Sequence, residues 1–462
     1  MAARDKLLPL VVACPLFLQN LDTSAIATAL PAIARSLDVQ ALHLNLAITS
    51  YLLSLAVFLP LSGWCASRFG ARRVFCAAIA FFSLGSALCG LATSLPWLVV
   101  FRIVQGFGGA LMVPVGRLIL LRSVQPAAMV AAMVWFTVPP TVGRMIGPLF
   151  GGAIVTWTSW RWIFLLNIPF GLLGIALAWR FIGTEVDEEL REPFDAPGFV
   201  LLALGLTGLL GALEMTGKGL VGGWAIAGAA AVGTVAMLVY VRRSGRMAAP
   251  LVNFSVLRFP TYFASIVGGT PLRIAIGATP FLLPLMFQLG FGLSPLDSGL
   301  LTVATALGAL ATRGVMGHAI HRFGFRPLLV AATALAGVLS MSYGLFKPET
   351  PHVVMFFAML LGGLVTSMAM VSLQTLGFSE IPKPLMSHAT TLSTMSQQLA
   401  ITFGVVLGAS LVSAASWWHG GDAAHLTAAD FSPAFFIAGL ITLMSLFFFV
   451  RLDPEHGEGM RR

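Results

Sequence analysis

Apolar residues run through this chain in long continuous blocks, separated by short polar or basic clusters and without alternation at every second position. A helix crosses a bilayer with about 20 predominantly apolar residues. Fourteen windows fit: 7–30, 43–66, 73–94, 96–121, 127–157, 161–183, 196–216, 222–241, 260–290, 295–317, 327–346, 352–378, 387–416 and 432–450. The longer ones hold Pro or paired Gly, which predicts kinks or tilt. Strands of a transmembrane β-barrel alternate with period two, so that architecture is excluded. The pattern predicts an all-α polytopic membrane protein.

Composition sharpens this. Of 462 residues, 58% are hydrophobic and 10% charged, against about 25% charged in soluble domains. So few charges exclude a soluble enzyme, a nucleic-acid-binding protein and a disordered chain. An even span count puts both termini on one face. With the termini cytoplasmic, the cytoplasmic segments hold nineteen of the 27 basic residues. The outer segments hold four: Arg35, Arg161, Lys218 and Lys347. The positive-inside rule selects this orientation. Arg4 and Lys6 then precede a first spanning helix rather than a cleaved leader. Cys14, Cys65, Cys76 and Cys89 lie in apolar runs without metal-ligand spacing, so neither a disulfide framework nor a metal site is expected. No cofactor is expected either.

A parallel repeat divides the chain. Arg68-Phe69-Gly70-Ala71-Arg72 recurs as Arg322-Phe323-Gly324-Phe325-Arg326, with Gly63 matching Gly317 at the same offset. The offset equals eight spans. The expected organisation is a six-helix bundle over 1–190, a two-helix insert with linkers over 191–250 and a second six-helix bundle over 251–462. Two-fold repeats of this kind suit alternating-access transporters with a site between the halves. The acidic stretch Glu185–Pro193 reads as a solvated loop. The basic cluster Arg242–Arg246 reads as a contact for anionic lipid headgroups.

Ionisable side chains inside spans are costly and mark function by default. Asp22 is the deep carboxylate, nine residues before Pro31, where the first helix is expected to end; that is about 13 Å of rise. Arg102 lies six residues after Pro96 at comparable depth. Burial favours a neutral acid and a neighbouring guanidinium a charged one, so Asp22 and Arg102 suit proton coupling. A structural ion pair is the competing reading. Arg144 and Arg273 lie mid-span, and Arg313 is shallow enough to snorkel. Glu214 is expected to pair with Lys218 at i,i+4. An excess of arginines over acids would attract anions. Gln19, Asn45, Gln288 and Gln398, with Arg144 and Arg273, are assigned to the substrate cavity; interhelical hydrogen bonding is the alternative for the amides. The glycines of Gln105–Ala110 point to close helix packing rather than dinucleotide binding, since no strand precedes them. Gly143, Gly147-Pro148 and Gly151-Gly152 predict a closely packed, weakened helix at a rocking interface.

These residues together resemble the major facilitator superfamily, and within it the fourteen-span drug:proton antiporter-2 family. Leu21–Pro31 is similar to that family's first-helix motif, and Gly63–Arg73 to its loop 2–3 motif, including Gly63, Arg68, Gly70 and Arg72. Arg102–Ala110, with Gly106, resembles the fourth-helix motif, Gly143–Gly152 the antiporter motif and Trp160–Gly171 the helix 5–6 signature. The resemblance implies two six-helix bundles plus two linker helices, a bacterial cytoplasmic membrane, and conformational roles for these motif residues. It also implies that Arg102 is linked to proton coupling. Ser67 stands where an acid is usual and Arg144 where Pro is usual. The first departure weakens an expected lock between halves, and the second adds a positive charge.

The expected function is proton-coupled antiport, exporting small organic compounds or drugs by alternating access. The expected partners are the substrate, protons and membrane lipids, with no nucleic acid, and the chain is expected to be monomeric. An exporter of anionic metabolites or metal-chelate carboxylates is the alternative, and a non-transporting sensor the alternative of another class. No paired catalytic acids or activated nucleophile point to an enzyme.

Overall fold

The computed structural model describes residues 3–123, 129–183, 194–216, 221–247, 250–382, 385–420 and 426–452, all helical or loop without a strand among them. Thirteen segments among the described residues are long and apolar enough to span a membrane. The 127–157 window is filled by a further helix of 29 residues, Met129–Trp157.

The first half comprises α1 (Ala3–Leu37), α2 (Asn45–Phe58), α3 (Leu61–Phe69), α4 (Ala71–Gly90), α5 (Leu95–Ser123), α6 (Met129–Trp157), α7 (Arg161–Leu165) and α8 (Asn167–Phe181). The insert is α9 (Ala196–Met215) and α10 (Gly223–Ser244). The second half comprises α11 (Pro260–Phe263), α12 (Thr270–Leu285), α13 (Pro295–Phe323), α14 (Phe325–Tyr343), α15 (His352–Phe378), α16 (Met386–Trp418), α17 (Ala428–Met444) and α18 (Leu446–Phe449). Within the first half α1 packs on α6, and α5 on α2 and α4; within the second, α12 packs on α16, and α15 on α13 and α14. The halves meet where α6 lies against α13, α2 against α16 and α1 against α12. The insert helices pair with each other, and α9 touches both α2 and α16.

Prolines break several predicted windows. Pro60 precedes α3 and divides window 43–66, because its missing N–H cannot continue the ladder. Window 161–183 divides at Leu166. Window 260–290 carries π-helical turns at Ala264–Gly268 and Met286–Gly290. The first helix, by contrast, does not end at Pro31. It runs to Leu37 with Pro9, Pro15 and Pro31 inside it. Burial of Leu30, Ile33 and Ala34 outweighs the one hydrogen bond that Pro31 removes. Asp22 therefore lies fifteen residues from the helix end, about 22 Å by rise.

The sequence repeat has a backbone counterpart. Gly70 and Gly324 both adopt left-handed conformations, with φ of 86° and 82°, which a Cβ would strain. The following arginines act alike. Arg72 donates to the carbonyl of Ile182 at the end of α8 at 3.3 Å, and Arg326 donates to the carbonyl of Val450 at the end of α18. Cations at helix C-termini satisfy carbonyls that lack an intrahelical donor.

Candidate functional site

Asp22 and Arg102 meet directly. The Arg102 Nη1 donates to Asp22 Oδ2 at 2.7 Å, and both side chains are wholly shielded from solvent. The same Nη1 donates to Gln105 Oε1 at 2.8 Å, and Nε to the Ala47 carbonyl at 3.0 Å. The guanidinium lies over the Tyr51 ring, 4.3 Å from its centroid, a favourable cation–π arrangement in a dry site. Asn167 Nδ2 donates to Asp22 Oδ1 at 3.2 Å and to Ser86 Oγ at 2.9 Å; Ser86 in turn donates to the Phe164 carbonyl. Six elements, α1, α2, α4, α5, α7 and α8, thus converge on one ion pair inside the first bundle. Gln105 stands beside Arg102 because i,i+3 residues share a helix face. Asn167 lies within the Trp160–Gly171 segment, which carried no individual signal for it. Tyr51 and Ser86 gave no signal, because an aromatic or a serine in an apolar helix reads as packing.

The pair does not face the space between the halves. A cavity of about 390 Å³ lies there, lined from the first half by Ser24, Ala27, Thr28, Arg144 and Pro148, and from the second by residues including Thr279, Thr305, Tyr343, Gln374 and Gln397. Arg144 is exposed to it and donates to Asn20 Oδ1 at 2.7 Å. Its guanidinium, assigned to the substrate cavity from the sequence, stands in the wall of this cavity. No carboxylate lines this cavity among the described residues. Ser24 sits two positions after Asp22 on α1, and successive residues turn by about 100°. One helix therefore presents the acid to the bundle interior and hydroxyls to the cavity.

The other expected cavity residues lie elsewhere. Arg273 is buried in the second half and donates from Nη1 to the Ser265 carbonyl at 2.6 Å; it does not line the cavity, because α12 turns Leu272, Ala275 and Ile276 toward it instead. Gln19 is buried and donates to the Gly109 carbonyl at 3.4 Å, and Asn45 is fully buried. Gln288 bridges the halves, donating to the Thr28 carbonyl at 2.8 Å. Gln398 is partly buried, while its neighbour Gln397 reaches the cavity. Arg313 does not simply snorkel; it donates to Thr141 Oγ1 on α6 at 2.9 Å.

The glycine motifs resolve into two contacts. On α6, Gly143, Gly147 and Gly151 face α1, where an added Cβ would meet the Phe17 carbonyl at 2.5 Å, the Ser24 hydroxyl and the Ala25 carbonyl. That face packs within the first half, not across a rocking interface. Gly152 faces the Pro295 carbonyl of α13, and the Pro148 carbonyl meets Gly299; these two make the approach between halves. On α5, a Cβ at Gly106 would lie 2.6 Å from Ser54 Cβ. Gly63 opens onto free space, and Arg68 is exposed. Arg243 pairs with Asp195 at 2.9 Å, leaving Arg242 and Arg246 as the exposed cations of that cluster. Glu214 is buried. Lys218 and the acidic stretch 185–193 lie outside the described residues.

Paired helical bundles around a polar cavity, with a buried acid beside it, define a polytopic carrier. The chain belongs to the Major Facilitator Superfamily, whose sequence profile matches residues 12–269 and 265–460. MdtD of Salmonella typhimurium, whose name provisionally assigns it to multidrug resistance, is 36% identical over 453 residues, covering 97% of this chain and 95% of that protein. MdtD of Salmonella typhi has the same identity and coverage. A D-xylose-proton symporter superposes with a TM-score of 0.69 at 17% identity, over 97% of this chain and 98% of that one. A POT family transporter in complex with 5-aminolevulinic acid superposes with a TM-score of 0.72 at 15% identity, over 98% and 96%. These two share the fold. The chain is therefore a multi-pass membrane transporter of small molecules.

Proposed function

We propose that this transporter is a proton-coupled antiporter that exports small organic compounds across a bacterial cytoplasmic membrane, with both termini cytoplasmic. The observation that carries the reading is the dry Asp22–Arg102 pair on a helix whose other face lines the cavity. Protonation of Asp22 releases the charge attraction to Arg102 and alters how α1 sits against α5. Because Ser24 and Thr28 belong to the same helix, the cavity wall feels that change. The bundles over 1–190 and 251–462 rock about the cavity by alternating access, with 191–250 as an attached hairpin and the monomer as the working unit. Gln288 and Arg313, which hydrogen-bond across the halves, make and break these bonds during the cycle. Comparative profiling of media from cells with and without the protein identifies the exported compound. In proteoliposomes a pH gradient then drives that compound uphill with the native chain. Transport that ignores the gradient sinks the reading.

Arg144 favours a second reading for the substrate. A guanidinium in the wall of a cavity that no described carboxylate lines suits an organic anion better than a cationic drug. Arg144→Gln should then weaken anion binding selectively.

A further inference from the structure

A second cavity, of about 470 Å³, lies away from the first, between the insert and the second bundle. Such a volume falls within the ~300–1,000 Å³ of small-molecule sites. Its walls are apolar apart from Thr270 and Ser396, and the Thr270 hydroxyl is already used on the Ile266 carbonyl. On α9 the lining residues are Leu202, Leu206 and Leu210, one face of the helix over about 12 Å of rise. On α16 they run from Leu392 to Phe403, about 17 Å. The slot is thus about as long as one leaflet, half of a ~30 Å hydrocarbon core. A slot walled almost wholly by apolar side chains suits a hydrocarbon chain.

One wall of the slot is formed by the strap that carries Val252, Phe254 and Leu257. That strap is fastened to the end of α10: the Val252 N–H donates to Tyr240 Oη at 2.9 Å, and Ser244 Oγ donates to the Val252 carbonyl at 2.7 Å. Arg246, two residues beyond Ser244, and Arg258, next to Leu257, are both exposed on the segments that flank this strap, Arg258 over the Phe259 ring at 5.1 Å. Neighbouring Arg243 is already neutralised by Asp195, so Arg246 and Arg258 are the cations beside the strap that an anionic headgroup can meet.

We propose that the slot binds one acyl chain of an anionic phospholipid, with its headgroup on Arg246 and Arg258, and that this lipid seats the α9–α10 hairpin on the second bundle. The slot and the arginines beside it do not depend on proton coupling; only the side of the membrane from which the lipid comes, the cytoplasmic leaflet, rests on the proposed orientation. Because α9 also touches α2 of the first half, the lipid sits where it steadies both halves.

Native mass spectrometry of the delipidated full chain, titrated with phosphatidylglycerol or phosphatidylcholine, tests this. Two arginines near a headgroup give roughly a 25-fold preference for phosphatidylglycerol, about fivefold each. R246Q/R258Q, altered only at exposed side chains, should equalise the two lipids. Ala400→Trp, or Leu206→Phe if the first fails to fold, should fill the slot and abolish retention of both lipids. Val235→Trp, on the exposed outer face of α10, should change nothing. Equal binding of the two lipids to the native chain, unchanged retention in a folded slot-filling variant, or loss of retention in Val235→Trp would each overturn the proposal.

Discussion

Asp22→Asn keeps the shape of the buried pair and removes one charge. The carboxylate oxygen it replaces lies 2.7 Å from Arg102, and neither side chain touches solvent. Removing one member of such a pair costs about 3–5 kcal/mol, because the other charge is left buried and uncompensated. Arg102 keeps the Ala47 carbonyl, Gln105 and the Tyr51 ring, so the cost should fall near the lower end, about 3 kcal/mol. Asp22→Asn combined with Arg102→Gln removes the stranded charge as well and should recover part of that loss. Denaturation of the purified chain in detergent measures stability, and flux in proteoliposomes measures coupling. One charge crossing 100 mV supplies about 2.3 kcal/mol, roughly fortyfold accumulation. The native chain should approach that ratio, while both variants should stop at equal concentrations on the two sides. Gradient-driven accumulation by either variant refutes the role given to Asp22. A double variant no more stable than Asp22→Asn refutes the electrostatic account of the pair.

Four further outcomes follow from the packing and the cavity. Gly151→Val drives a side chain into the Ala25 carbonyl of α1 and should destabilise by about 1–3 kcal/mol, whereas Gly63→Val, in open space, should melt like the native chain. Gly70→Ala and Gly324→Ala should each lose about 1–3 kcal/mol, since both positions combine a positive φ with an extended ψ that only glycine adopts without strain; equal losses in thermal melts would bear out the pseudo-symmetry. Arg144→Gln should reduce thermal stabilisation by an organic anion and leave that by a neutral ligand intact. Replacing Gln288 with Leu removes its bond to the Thr28 carbonyl, so crosslinks between α1 and the second half should form less readily.

The span count and the repeat were legible because bilayer crossing imposes length and hydrophobicity on every segment, and because the repeat placed glycines at positions where only glycine is unstrained. Helix ends were less legible. Pro60 ended a helix while Pro31 did not, although the residues around both are buried, a difference no local pattern encodes. Asp22 and Arg102 stood out because charge is rare in an apolar run. Which arginine faces a cavity was not legible: Arg144 and Arg273 both lie mid-span, yet one is exposed and the other buried. Helical phase relative to distant neighbours decides that. Likewise the Gly143–Gly151 stripe announced close packing but not its partner, which proved to be α1.

The separation of the ion pair from the cavity has a consequence for energetics. If Asp22 takes the proton, substrate and proton never compete for one group, and each binds in its own compartment. The number of protons spent per cycle is then fixed by the protein and not by the cargo. Neutral, anionic and cationic compounds would all exchange for the same proton count, while the net charge moved per cycle would differ among them. Membrane voltage would therefore favour some cargoes over others even at equal affinity, so that the energetic state of the cell selects among compounds the cavity itself accepts.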